Sequence, residues 1–203
     1  MAYINTRTDS DPDSATSRMF DRAMGGYGYL PNMVKAFSHR PEVMEAWNAL
    51  LGSIKSGMDM RRYELVTMAA ARELRSSYCM LAHGSVLLHG HFTAPELQAI
   101  VEDADNAPLD AKDRAIMRFA AKVVRDATSV TGQDVEALRA HHLSDAEIFD
   151  IVAAAAARCF FSKTLDGLGV EPDGAYHELE PKLKQALVVG RAIDTGHDMV
   201  RRG

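Results

Sequence analysis

Apolar residues recur along this chain every three or four positions, the spacing that gathers them on one side of an α-helix. The clearest case opens at Pro41, a residue suited to the first helical position. Val43, Met44, Trp47, Leu50, Leu51 and Ile54 follow in register before Gly57 stops the run. A second helix is predicted from a cap at Asp59 to about Arg75, with Leu65, Met68, Ala69 and Arg72 in step, and a third over residues 77–90. Thr93-Ala-Pro-Glu96 and Ser144-Asp-Ala-Glu147 are capping boxes. One opens a helix through Leu97, Ile100 and Val101; the other opens a helix reaching about Leu168, whose alanine run 153–157 suits a closely packed neighbour. Asp110 caps a helix that turns Ile116, Phe119, Ala120 and Val123 inward, and Thr131 caps one through Val135 and Leu138. Shorter helices are expected over 14–24, ended by Gly25-Gly26, and over 32–37. A last one is expected over 178–193, with Leu183, Leu187 and Val188 as its apolar side. No segment sustains the alternation of paired strands. The pattern predicts an all-α protein.

The segment HFTAPELQAIV (91–101) aligns without gaps to HLSDAEIFDIV (142–152), which fits either a duplicated helical unit or two similar capping boxes. Residues 1–13 are polar and read as a flexible arm that orders against a partner subunit. Residues 14–203 read as one domain, with 178–203 as a C-terminal helical segment placed for an interface.

Composition narrows the function classes. A formal net charge of −5, with no basic run longer than two residues, argues against a nucleic-acid partner. No apolar run has the length of a membrane span, and the first residues lack the apolar region of a signal peptide, so a cytoplasmic protein is expected. The 2 cysteines do not make a disulfide framework. His89, His91, His141 and His142 lack the carboxylate or cysteine that would complete a tetrahedral set, and no nucleotide-binding glycine motif occurs; neither metal nor cofactor is expected.

The chemistry concentrates in ELVTMAAARELRSSYCMLAH, residues 64–83. On a helix Cys79 and His83 share a face, four residues apart. Ser76 and Ser77 are favoured caps, so Cys79 falls in the first turn, where free N–H groups and the helix dipole favour an anion. A thiolate is the nucleophilic form of cysteine. Glu64, fifteen positions earlier, is a carboxylate that could orient the histidine, or a surface group pairing with Arg61, Arg62 or Arg72. Tyr78 is a candidate donor near the thiol, although packing is its simpler reading. Ser76 is most simply a cap.

The arrangement Glu-x11-Ser-x-Tyr-Cys-x3-His resembles the Glu-x11-Cys-x-x-Cys-x3-His signature of the AhpD-like alkylhydroperoxidases, within the carboxymuconolactone decarboxylase superfamily. Further resemblance to its "peroxidase-related" branch lies in GYGYLPNMVKAFSHRPEVMEAW (26–47), LSDAEIFDIV (143–152) and LGVEPD (168–173). The resemblance implies an orthogonal helical bundle, assembly as a dimer, trimer or hexamer, and a relay in which Glu64 polarises His83 and His83 draws the proton from Cys79. Cys79 would then attack hydrogen peroxide or an alkyl hydroperoxide. Ser76 stands where the family has its first cysteine. A hydroxyl cannot form a disulfide, so an oxidised Cys79 needs another thiol: Cys159, or more simply an external one. The superfamily also implies an alternative, lyase or isomerase chemistry on a lactone-type substrate with His83 and Glu64 as acid and base. A non-catalytic helical oligomer that retains a degenerate site is the third reading.

Overall fold

The computed structural model describes residues 2–7 and 14–196; the remainder of the predicted arm and residues 197–203 lie outside the described residues. Ten α-helices carry the chain among them: α1 Ala15–Tyr27, α2 Asn32–Ala36, α3 Pro41–Ser56, α4 Met60–Glu73, α5 Ser77–Leu88, α6 Ala94–Glu102, α7 Ala111–Asp126, α8 Gly132–Arg139, α9 Asp145–Gly167 and α10 Pro181–Leu187. Among the described residues none is long and apolar enough to cross a membrane. The starts follow the predicted chemistry. Asp59 accepts from the Arg62 N–H at 3.0 Å, Asp110 from Asp113 at 2.7 Å, and both predicted capping boxes form. The inferred repeat therefore appears as two similarly capped starts, which continue into helices of nine and 23 residues.

Helix α4 is the axis of the molecule, packed by α5, α7 and α9. The single apolar stripe predicted for it is too modest: every residue from Tyr63 to Ala71 is buried. A helix surrounded by neighbours must be apolar on all sides or satisfy its polar groups internally, so Glu64 and Thr67 are carried into the core. The alanines of α9 do pack inward, with Ala154, Ala155 and Ala157 buried.

Four expectations are corrected. Helix α1 runs through Gly25-Gly26 and ends at Gly28, whose φ of +75° only glycine adopts at ease. Leu50, placed inward by periodicity, is 50% exposed. The helix expected over 178–193 is instead a 3₁₀ turn, Gly174–Glu178, followed by the short α10. Pro181 has to sit at a helix start, and beyond Leu187 the chain leaves the helix so that the Gly190 N–H can donate to Ser77 Oγ at 2.8 Å. The described part of the arm is not loose either: Tyr3 N–H donates to Leu168 O at 2.7 Å and Arg7 N–H to Ser38 Oγ at 2.8 Å.

Candidate active site

Three helices supply the side chains around Cys79. Glu64 comes from the buried face of α4, Cys79 and His83 from α5, and Arg158 and Ser162 from α9. Arg75, with a left-handed φ of 54°, turns the chain sharply between α4 and α5 and sets Ser76 at the N-cap. Cys79 thus occupies the first turn of α5, and it is 1% exposed.

Glu64 is also 1% exposed and meets His83 Nδ1 through Oε2. Burial pushes the Glu64 carboxyl upward, but the hydrogen bond from His83, with the nearby charges of Lys55 and Arg158, holds it below its ordinary value. Burial, reinforced by the Arg158 charge and opposed by Glu64, lowers His83 to about 4. At neutral pH the dyad is therefore an ionised glutamate and a neutral imidazole. With Nδ1–H given to Glu64, the Nε2 lone pair of His83 is the basic position. Tyr63, whose ring lies edge-on to His83 at 6.3 Å, takes the Lys55 ammonium over its face at 4.7 Å.

The thiol itself is held from α9. Ser162 Oγ donates to Cys79 Sγ at 3.1 Å and Arg158 Nη1 at 3.6 Å, while Arg158 Nη2 donates to the Tyr63 hydroxyl at 3.3 Å. Arg158 is 3% exposed, its guanidinium 5.6 Å from the ring centres of both Trp47 and Phe161. Among the described residues no carboxylate forms an ion pair with it, and its Nε has no hydrogen-bond partner. Sequence reading missed both Arg158 and Ser162. Their i, i+4 spacing, two polar residues on the buried face of an otherwise apolar helix, is the signal that could have found them.

The other sequence candidates are distributed differently. His83 shares the α5 face with Cys79, but among the described residues no hydrogen bond joins the two. Ser76 occupies the cap position without making the cap: its side chain is buried and accepts no hydrogen bond from the first turn of α5. Tyr78 turns from the thiol. Its hydroxyl donates to the buried Asp173 and accepts from the Met33 N–H at 3.1 Å, and Asp173 also receives the Asn32 N–H at 2.7 Å. Segments 26–47 and 168–173 therefore meet on the residue beside Cys79. Burial raises the Asp173 carboxyl despite these donors. Both cysteines are free; Cys159 is half-buried and directs its thiol to Ala155 O in its own helix at 3.6 Å. Being one residue from Arg158, it lies roughly 100° around α9 from the side that meets Cys79. Among the described residues no group of three or more His, Cys, Asp or Glu is placed to hold a metal ion. Cavities of about 320 Å³, between α4, α6 and α7, and about 80 Å³, beside Gly57, are lined by other residues than Glu64, Cys79 and His83.

These features define a class: an all-helical protein with a buried thiol at a helix start, bracketed by cationic and hydroxyl donors and accompanied by a glutamate–histidine dyad. Residues 41–121 match the carboxymuconolactone decarboxylase family. The fold is that of an AhpD core, "uncharacterized peroxidase-related protein", from Ralstonia eutropha JMP134, with TM-score 0.73 and 22% identity over 86% of this chain and 96% of that one. A peroxidase-related protein from Silicibacter sp. TM1040 is similar at TM-score 0.77 and 23% identity, over 87% and 94%. The debrominase Bmp8, solved with 2,3,4-tribromopyrrole, is similar at TM-score 0.73 and 15% identity, over 92% and 98%. No curated protein sequence matches. The match over residues 41–121 and the shared fold make the protein similar to the AhpD-like and carboxymuconolactone decarboxylase proteins.

Proposed function

We propose that the protein is a thiol-dependent peroxidase-type oxidoreductase in which Cys79 is the nucleophile. The observation that carries this reading is the placement of Cys79 Sγ within reach of a guanidinium and a hydroxyl, both aimed at the sulfur, in the first turn of a helix. All three are features that receive negative charge. A neutral His83 oriented by an ionised Glu64 is the base at physiological pH. The 1% exposure of Cys79 favours a slender electrophile, hydrogen peroxide or a small alkyl hydroperoxide, over a cyclic lactone.

The sulfur pair attacks the terminal oxygen of R–O–OH, the O–O bond breaks, and its electrons leave on the other oxygen as RO⁻. The proton lost by the thiol, carried by His83, ends on that alkoxide. Overall, Cys79–SH and ROOH give Cys79–SOH and ROH. With serine at 76 and Cys159 directed into its own helix, an external thiol resolves the sulfenic acid. It displaces water to form a mixed disulfide, and a second equivalent restores Cys79.

The test is to expose the protein to one equivalent of peroxide, trap sulfenic acid with a dimedone reagent and map the adduct by mass spectrometry. Label on Cys79, slowed in Glu64→Gln and His83→Ala, is expected. An unmodified Cys79, or equal rates in all three proteins, would refute the relay. The Glu64–His83 pair is bonded independently of the thiol, which gives the lyase or isomerase reading its own footing. Lactone turnover that survives Cys79→Ser would establish that alternative.

A further inference from the structure

Buried arginine is ordinarily paired with a carboxylate, because an unpaired charge removed from water is costly. Arg158 breaks that rule. It is 3% exposed, has no carboxylate ion-paired to it among the described residues, and leaves Nε without a partner. Its two polar contacts are Cys79 Sγ at 3.6 Å and the Tyr63 hydroxyl at 3.3 Å. Trp47 and Phe161, whose rings stack at 4.9 Å, wall it in and hold it in place. Ser162, one helical turn further along α9, is fully buried and also gives its hydroxyl to Cys79 Sγ. Two independent donors thus converge on one sulfur atom, and one of them carries a charge that no carboxylate meets in an ion pair among the described residues.

We propose that Arg158 and Ser162 are catalytic residues that bind the hydroperoxide oxygens at Cys79, Arg158 stabilising the negative charge that appears when the O–O bond breaks. This rests on the reading of Cys79 as a peroxide-reactive thiol, and assigns the chemical class its site takes: an electrophile that leaves as an oxyanion. In the displacement, sulfur is oxidised and the peroxide reduced. The electron pair of the O–O bond moves onto the departing oxygen beside the guanidinium, where the proton released from the thiol completes the alcohol. The division of labour is then clear. The Glu64–His83 dyad handles the proton, and the α9 pair handles the oxygen. Preorganised donors act most strongly where water is excluded, as it is around a residue this buried.

The experiment compares two reactions of the same thiol in the same variants: oxidation by hydrogen peroxide, which expels an oxyanion, and alkylation by iodoacetamide, which builds no charge on oxygen. Arg158→Met is expected to slow oxidation about 100-fold and alkylation less than about 10-fold, the loss of one charged hydrogen bond in the first reaction only. Ser162→Ala is expected to slow oxidation about 10-fold, and Arg158→Lys to recover part of the rate. Circular dichroism checks each fold, and Ser162→Ala, the smallest change, carries the test if Arg158→Met does not fold. Equal losses in both reactions, or none, would overturn the assignment while leaving Cys79 a peroxide-reactive thiol. A wild-type Cys79 that is alkylated but never oxidised would overturn the underlying reading as well.

Discussion

The neutral state of His83 has a consequence that can be measured without any substrate. In the fold, burial and the Arg158 charge lower the imidazole from 6.5 to about 4, against the pull of Glu64. In the unfolded chain it titrates near its ordinary value. Between those two values the unfolded state binds a proton that the native state refuses, so stability falls as the pH is lowered, by about 1.4 kcal/mol per unit. From pH 6.5 to 5 the loss is about 2 kcal/mol, and over the full window about 3 kcal/mol. Glu64, held below its ordinary value by the His83 hydrogen bond, shifts in the direction that also favours the fold at higher pH and does not offset the effect. Urea unfolding at pH 7.5 and 5.0 isolates the contribution when wild type is compared with His83→Gln, whose amide can still donate to Glu64 but cannot titrate. Wild type should lose about 2 kcal/mol more than the variant. An NMR titration gives the direct check: the His83 ring signals should not move above pH 5. Because the Arg158 charge is the second cause of the shift, Arg158→Met should bring the midpoint upward. A wild-type midpoint near 6.5, or the same pH dependence in both proteins, would refute the lowering of His83 by burial and Arg158.

Three further outcomes follow from the packing. Tyr78→Phe removes a donor from buried Asp173 and should lower stability at pH 7 by about 1–2 kcal/mol in urea unfolding; because the Asp173 carboxyl is raised in the fold, the deficit should shrink as the pH is lowered toward 4 and the group protonates. Asp113, fully buried at the start of α7, pairs with Arg61 and with Arg62 at 3.2 Å, and both arginines keep about a third of their side chains in water. Asp113→Ala should therefore cost about 2–3 kcal/mol, less than a fully desolvated pair, read by the same assay. Gly190→Ala would drive a methyl group into the Arg75 carbonyl and break the Gly190–Ser77 hydrogen bond. A loss of about 2 kcal/mol, or roughly 4–8 °C in Tm, is expected by calorimetry.

Most of the helices were legible because their boundaries depend on local chemistry. Asp59, Thr93, Asp110 and Ser144 each satisfy N–H groups within their own first turn, so a reader needs only the neighbouring residues. Where a boundary depends on a remote partner, periodicity misleads. The chain after Leu187 continues a helical pattern, yet its backbone is claimed by Ser77, more than a hundred residues earlier. The α1 terminus fails differently: Gly25 and Gly26 are helix-permissive rather than helix-ending, and only Gly28 takes the left-handed conformation that stops the helix.

The same distinction divides the candidate site. Cys79 and His83 lie a turn apart on one helix, and Glu64 on the helix before it, so spacing alone suggests that they meet; Glu64 and His83 do bond. Arg158 and Ser162 reach Cys79 only because α9 packs against the α4–α5 pair, an arrangement that its alanines permit but that no local pattern encodes. Tyr78 shows the reverse error. Adjacency to Cys79 suggests a role at the thiol, but successive helical residues diverge by roughly 100°, and its hydroxyl is committed to Asp173. Ser76 is the most informative case. As a cap it would be replaceable by aspartate or threonine, yet its buried oxygen makes no cap hydrogen bond, so at the start of α5 it contributes small size. Ser76→Cys should therefore be accommodated at little cost in stability. If Ser76 alone separates this site from a two-cysteine cycle, that variant should form an intramolecular disulfide with Cys79 on treatment with one equivalent of peroxide, seen as the loss of two free thiols and of the dimedone adduct. A Ser76→Cys protein that still accumulates sulfenic acid at Cys79 would show that helix α5, and not the missing sulfur, keeps the two side chains apart.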